Sequence, residues 1–268
     1  MTRTRQAAGA FCLLGLVLAS ACGGGGDGGS RTRPAVEEPF SYDVNVGTRT
    51  ALRLVGVSGT VTVSGAAGGA SSISITGVRH VEADTLEDAT AQLAALRVNV
   101  TSSMSEVLVG TDQPRFAAGR NYIVNYTIVL PEHLNVSVTN LNGNVTVRSL
   151  NADCTITNMN GGILADAIAG NAVLSLANGD IAAWMTLPPG GRIEIGVVNG
   201  TIDLAMPQTT SAQFSATVAT GSITLTNLSL TVPPGSPCGT QACSGTLGSG
   251  NGTIDLHAGN GAIAVRGV

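Results

Sequence analysis

The sequence predicts an all-β fold, a parallel β-solenoid with about two strands per coil and one short helix in the N-terminal half. The dipeptide Asn-Gly, or a close relative, recurs between residues 142 and 261, each time ahead of a short alternating strand. Successive copies are 18, 18, 21, 21, 31 and 9 residues apart, and a period of about 20 residues is typical of stacked coils. The turn residues are Asn142, Gly143, Asn160, Gly161, Asn178, Gly179, Asn199, Gly200, Thr220, Gly221, Asn251, Gly252, Asn260 and Gly261.

A second apolar strand stands about midway between successive turns, as C-T-I-T at Cys154 and A-V-L-S-L at Ala172. One short strand and one tight turn fit in the nine residues between Asn251 and Asn260, which indicates two strands per coil. Asn and Gly suit the corners because they accept a positive φ. The alternative is an antiparallel meander, since Asn-Gly is also a strong hairpin signal, but the regular spacing favours coils.

Alternation along each strand assigns its side chains to the inside or the outside of the stack. The second and fourth residues after each glycine are aliphatic and are expected to point inward: Val145, Val147, Ile163, Ala165, Ile181, Ala183, Ile202, Leu204, Ile223, Leu225, Ile254, Leu256, Ile263 and Val265. The residue between each pair is expected to point outward: Thr146, Leu164, Ala182, Asp203, Thr224, Asp255 and Ala264. Stacking the coils in chain order makes Ile202 and Ile223 neighbours.

The part of the chain before the repeats is also rich in strands, with one exception. Residues 85–96 carry Leu86, Leu93 and Leu96 near one helical face, after Asp84 as a candidate cap. The sequence therefore predicts one helix there, positioned to cover an open end or edge of the stack. No flexible linker separates this part from the repeats, so residues 40–268 are expected to form one domain.

Composition narrows the function classes. The 268 residues include 36 glycines, with only 11% charged and 3% aromatic side chains, which suits a thin, turn-rich β-stack. The formal net charge of −4 gives no basis for binding nucleic acid.

The first 39 residues read as export and anchoring signals. Residues 1–21 combine two arginines with a short apolar run and end in L-A-S-A ahead of Cys22. This pattern resembles the lipobox of bacterial lipoproteins, which implies that Cys22 carries a lipid anchor. The alternative is an ordinary secretory signal with a chance cysteine. The glycine-rich residues 22–39 are expected to be a flexible tether.

The repeats resemble a known family. The segments Y-I-V-N-Y-T-I-V-L-P, L-N-V-S-V-T-N-L-N-G-N-V-T-V and G-S-G-N-G-T-I-D-L-H-A-G-N-G-A-I-A-V look like those of the bacterial putative-adhesin family, over about residues 40–268. The resemblance implies an envelope β-solenoid domain. It transfers no catalytic residue to this chain.

Reactive side chains are few and dispersed. In an exported protein, Cys238 and Cys243 are expected to form a disulfide within the insertion that lengthens one repeat. Cys154 alternates with Ile156 and is expected to be an inward, inert thiol. The three histidines lie in no catalytic motif, and the sequence indicates neither a metal site nor a cofactor.

Two function classes follow from these observations. The first is a non-catalytic, lipid-anchored envelope scaffold that binds a polymer or a protein, with self-association through the C-terminal strand as an added expectation. The second is a carbohydrate-active enzyme that uses outward carboxylates. Chain-order stacking puts Asp203 and Asp255 in one column about 9.6 Å apart, at the upper limit for inverting glycoside hydrolysis, but no aromatic or arginine is expected beside them.

Overall fold

The computed structural model describes residues 33–268, which form 19 strands and one helix, α1 (Leu86–Leu93). No helix in these residues is long and apolar enough to cross a membrane. The strands are β1 (Ala35–Asn45), β2 (Ala51–Val55), β3 (Val61–Ala66), β4 (Ser72–Glu82), β5 (Arg97–Ser102), β6 (Glu106–Asp112), β7 (Asn121–Pro131), β8 (Asn135–Asn142), β9 (Val145–Leu150), β10 (Cys154–Asn160), β11 (Ile163–Ile168), β12 (Ala172–Asn178), β13 (Ile181–Met185), β14 (Arg192–Asn199), β15 (Ile202–Met206), β16 (Ala212–Thr226), β17 (Leu230–Thr231), β18 (Ala242–Leu247) and β19 (Gly252–Gly267).

The strands form two layers that face each other across one apolar core. Layer A contains β6, β2, β8, β10, β12 and β14 in that order, each parallel to the next. Layer B contains β7, β3, β9, β11, β13 and β15, again all parallel. The long strands β19 and β16 extend both layers and pass from A to B, so all strands belong to one mixed sheet folded onto itself.

Inward side chains follow the alternation in the sequence. A coil, meaning a strand of layer A with the layer B strand that follows it, buries every second residue, as in Ile202 and Leu204 of β15. One core runs from Val46 to Val265. Fully burying one such side chain contributes about 1.5–3 kcal/mol to the free energy of unfolding. The predicted all-β class with one short helix is confirmed.

The sequence prediction of chain-order stacking is wrong at both ends. Ile202 pairs with Ile263, and Ile263 pairs with Ile223, so the last coil of the chain lies between the two coils before it. At the other end the first coil is likewise inserted: β2 lies between β6 and β8, and β3 lies between β7 and β9. Because β16 is outermost in layer B, Ile223 and Leu225 are only half-buried. Ile254 and Leu256, expected in the same ladder as the others, belong to layer A.

The stack is also not parallel throughout. Antiparallel pairs close it, with β5 on β6, β4 on β7 and β1 on β4 at one end, and β18 on β16 and β17 on β18 at the other. The C-terminal strand β19 has neighbours on both sides. It is therefore not the open edge that the sequence predicted.

Two boundaries differ from the sequence predictions. Strand β1 begins at Ala35, inside the range predicted as tether, because its alternate side chains pack on β4 and the core. Helix α1 is shorter than predicted, and its cap is Thr85, whose hydroxyl accepts the Asp88 N–H. Leu86 is exposed, while Leu93 and Leu96 are buried. The helix packs against β1 and β4, the strands that end layer B.

An unbroken column of asparagines marks the corner between layers A and B. Each side-chain amide donates to the amide oxygen of the asparagine in the preceding rung, at 2.9–3.0 Å, through Asn142, Asn160, Asn178, Asn199 and Asn260. Thr220 occupies the rung after Asn260 and Ser58 the rung before Asn142. Asn251 does not belong to this column, since it precedes the layer A part of β19.

A column of glycines follows directly after the asparagines. Gly143, Gly161, Gly179, Gly200, Gly261 and Gly221 all have a φ between 119° and 147°, which disfavours any residue with a Cβ. A Cβ on any of them would also lie within 2.4 Å of the carbonyl oxygen of the glycine in the adjacent coil. These turns require glycine for two independent reasons.

Side-chain oxygens connect the coils at both corners. At the opposite corner Asn135, Asp153 and Asn171 each accept the backbone N–H of the first residue of the next coil, at 2.8–3.1 Å. Beside the glycine column Asp180 accepts from the hydroxyl and the backbone N–H of Thr201. These bonds hold the pKa of Asp180 below its usual value. Most polar groups of the corners are therefore satisfied. The exception is Asn158, whose amide donates to the Gly143 and Asn160 carbonyls while its buried Oδ1 has no partner among the described residues.

The glycine column can be tested with three substitutions. We expect Gly179→Ala to lower the free energy of unfolding by about 3 kcal/mol or more, because its φ is 130° and its new Cβ would lie 2.0 Å from the Gly161 oxygen. Gly190→Ala measures a positive φ without a close contact: its φ is 71° with nothing within 4 Å, so we expect a loss of about 1–2 kcal/mol. Gly196 has neither restriction, so Gly196→Ala serves as the control.

The measurement is denaturant unfolding of the three variants beside the parent. Equal losses in Gly179→Ala and Gly190→Ala would show that backbone strain alone, and not the close approach of the coils, requires glycine.

Candidate binding surface

The outer surface of layer B carries the one tryptophan of the chain. Trp184 lies on β13 between two inward residues, Ala183 and Met185, so alternation turns the indole outward. Its side chain is 53% exposed. Because β13 has a parallel neighbour on each side, the backbone at Trp184 is held in place by hydrogen bonds to both.

Two ion pairs lie on either side of Trp184. On one side Asp166 of β11 pairs with Trp184, and its carboxylate is 3.9 Å from the Nε of Arg148 on β9. On the other side the Nη1 of Arg266 donates to both oxygens of Asp203 at 2.6 and 2.7 Å. All four charged side chains are about half exposed.

A small residue makes room between the tryptophan and the second ion pair. Ala205 pairs with Trp184 on one side and with Arg266 on the other. It is fully buried although its position alternates with the inward Leu204. Burial of a methyl group at an outward position indicates that larger neighbouring side chains lie over it. Trp184 and the two ion pairs, with Ala205 beneath them, are called the Trp184 surface below.

The predicted carboxylate pair of an enzyme does not exist. Asp203 lies in layer B beside Ala182 and Ala264, whereas Asp255 lies in layer A beside Glu194 and Ser215. The two therefore share no column, and the inverting geometry expected from chain-order stacking is wrong. Asp203 also has an arginine partner, which the sequence reasoning had excluded.

The sequence prediction also missed the Trp184 surface. It compared the coils only over the inward pairs Ile181/Ala183 and Ile202/Leu204, so it expected no aromatic beside Asp203. Aligning Ile181 with Ile202 puts Trp184 opposite Ala205, two residues beyond Asp203 on the same face. The repeat spacing of 21 residues was the signal that could have found it.

The predicted cysteine positions are now accounted for within residues 33–268. Cys238 and Cys243 form the predicted disulfide. Cys154 is free and buried, and this burial raises the pKa of its thiol to about 12, as expected for an inert thiol. Cys22, the predicted lipidation site, and the signal segment 1–21 lie outside the described residues.

Histidines do not build a site in the described part of the chain. His80 lies between Glu37 at 2.9 Å and Glu82 at 3.2 Å, and it joins β1 to β4. A bond from Asn121 and then the bond with His80 hold the pKa of Glu82 below its usual value. His257 contacts the hydroxyl of Thr217 at 3.0 Å on the outer face of layer A. Within residues 33–268 no cluster of three metal-ligating side chains occurs.

The disulfide holds a loop against the outermost strand. Backbone carbonyls of Thr240 and Gln241 accept the N–H groups of Ile223 and Val218 at 2.9 and 2.8 Å. These amides of β16 point away from β19, toward the end of the stack. The loop therefore covers part of the edge that β16 would otherwise expose.

Solved structures similar to this chain include three bacterial proteins. One is a putative cell adhesion protein from Clostridium sporogenes, with 12% identity, a TM-score of 0.44 and coverage of 87% of this chain and 100% of its own. A putative adhesin from Bacteroides fragilis has 14% identity and a TM-score of 0.39, over 85% and 97%. A putative lipid binding protein from Parabacteroides distasonis has 12% identity and a TM-score of 0.29, over 86% and 96%.

The first two descriptions agree with the family that the repeats resemble. The TM-scores stay below 0.5, so this likeness assigns no ligand and no activity to the chain. No protein-family model matches this chain, and no curated protein matches it.

The role of the disulfide can be measured by hydrogen exchange. We expect Cys238→Ser to speed exchange of the Val218 and Ile223 amides by about tenfold or more, because the loop that accepts their hydrogen bonds loses its closure. The amide of Ile195, in the middle of layer A, should be unaffected. Ser236→Ala, a change in the same loop that leaves the disulfide, is the control. Unchanged protection of Val218 and Ile223 would contradict a covering role.

Proposed function

We propose that this protein is a non-catalytic, lipid-anchored β-solenoid of the bacterial cell envelope that binds an envelope polymer or protein through the Trp184 surface. The observation that carries the proposal is the exposed Trp184, held on a strand with a parallel neighbour on each side and flanked by two ion pairs. Exposed tryptophan and arginine side chains are enriched where binding energy is concentrated.

The rigidity of the support strengthens this proposal. Trp184, Asp203 and Ala205 each lie between two buried residues of their strand, so their Cα positions are fixed by the core. A surface that is ordered before binding loses little conformational entropy when the partner arrives. The envelope location rests on the lipobox-like segment that ends at Cys22 and on the glycine-rich residues after it.

Anchoring is tested at Cys22. We expect the wild-type chain to partition into the detergent phase on phase separation, and Cys22→Ala to move to the aqueous phase, because acyl chains supply the membrane affinity. Cys12→Ala changes the other cysteine of the N-terminal segment and should behave as wild type. Retention of Cys22→Ala in the detergent phase would remove the lipid anchor from the proposal.

Binding is tested with the full chain purified in detergent and applied to washed envelope fractions. We expect Trp184→Ala to reduce retention by about tenfold or more, the loss typical of a central binding residue. Phe116 is 85% exposed in the loop between β6 and β7, so Phe116→Ala controls for the loss of any exposed aromatic. Thermal unfolding of both variants checks that folding is intact. Equal retention of the two variants, or no retention of the parent, would reject the proposed function.

A further inference from the structure

We infer that the Trp184 surface takes an uncharged polysaccharide, laid across the strands of layer B. This inference rests on the proposed function and names the chemical class of its ligand. It follows from three properties of the surface: an open aromatic face, polar groups on both sides of it, and a balanced charge.

The indole supplies the apolar part of the contact. A sugar ring presents a face of C–H groups, and this face packs on an aromatic ring while the hydroxyls around the rim remain free for hydrogen bonds. Trp184 is half exposed, and the outward residue before it on the same strand, Ala182, is small and exposed. A flat ring can therefore approach the indole from the Ala182 side without meeting a bulky side chain of β13.

The ion pairs supply the polar part. A guanidinium has five N–H donors and a carboxylate about four acceptor positions, so the contact between Asp203 and Arg266 leaves several of each unused. The pair of Arg148 and Asp166 is longer, at 3.9 Å, and leaves more. Planar groups of this kind bind two adjacent hydroxyls at once, as they do other bidentate partners.

The charge of the surface favours a neutral ligand. Arg148 and Arg266 balance Asp166 and Asp203, so the four side chains sum to zero. An anionic polymer needs an excess of arginine or lysine to neutralise it, and the formal charge of −4 on the whole chain adds repulsion. These facts disfavour acidic polysaccharides, nucleic acid and anionic lipid surfaces alike.

The arrangement is extended in the way a polymer requires. Arg148, Asp166, Trp184, Ala205 and Arg266 lie on five consecutive strands of layer B. Four strand spacings of about 4.8 Å make roughly 19 Å, a length that accommodates several linked sugar rings. A protein partner is the competing occupant, because tryptophan and arginine also serve protein interfaces, and the test separates the two.

The test uses the full chain in detergent and native gels that contain a soluble polysaccharide. The panel holds neutral polymers (a β-glucan, an α-mannan and a galactan) and acidic ones (polygalacturonate and alginate). We expect retardation by at least one neutral polymer and by neither acidic one. Trp184→Ala should weaken the retardation by about tenfold or more and Asp203→Asn by a smaller factor, while Phe116→Ala leaves it unchanged. Since Trp184 is the one tryptophan of the chain, a saturable change in tryptophan emission should accompany binding.

Envelope fractions pretreated with periodate or with protease test the chemical class of the ligand separately from the proposed binding function. Periodate, which cleaves sugar diols, should abolish the retention that depends on Trp184, and protease should not. Loss after protease with survival after periodate would overturn the polysaccharide while the binding function stands. Retardation by acidic polymers, or by none of the panel, would also overturn it. Absence of any envelope retention would reject the proposed function itself.

Discussion

The structure depends on a corner where the backbone is left-handed and carries no side chain. At each rung the glycine N–H donates to the carbonyl of the asparagine in the next coil, as Gly161 does to Asn178 at 3.0 Å and Gly179 to Asn199 at 2.9 Å. The hydrogen bonding of the sheet thus continues around the turn. Because the carbonyl of one glycine occupies the place of a Cβ on the next, this corner fixes both the spacing and the register of the coils.

Fixed register determines the rest of the molecule. A slip by one residue would turn every inward side chain to solvent, so the corner keeps the aliphatic core and the outward columns in place together. The asparagine amides then add one hydrogen bond per coil, each worth about 0.5–1.5 kcal/mol. Trp184 and its flanking ion pairs lie on layer B, whose strands take their spacing and register from the same corner.

The repeating features of the fold could be predicted from the sequence, and the order in which the coils stack could not. Turn residues, inward pairs such as Val145 and Val147, and the disulfide follow from local pattern. The order of the coils does not, because every coil carries the same pattern and any stacking buries it equally. The turn residues did contain one signal for the order of the coils. Placing Asn260 next to Asn199 keeps the column of asparagine amides unbroken, whereas stacking in chain order would put Thr220 between these two asparagines. The hypothesis of a catalytic Asp203–Asp255 pair is wrong for this reason, because it placed Asp255 in the same layer as Asp203, whereas Asp255 lies in layer A.

Two strands at the ends of the stack, β16 and β1, are protected against strand addition. At one end antiparallel strands and the disulfide loop cover β16. At the other, β5 is the edge strand beside layer A and β1 the edge strand beside layer B. In β1 the Pro34 carbonyl accepts the Ala83 N–H, so the backbone groups of even-numbered residues face β4. Pro39 therefore directs its nitrogen outward, and Glu37 and Glu38 add charge, both of which oppose strand addition. Strands β1 and β16 are therefore poor edges for strand addition, and the exposed aromatic side chain of layer B is Trp184.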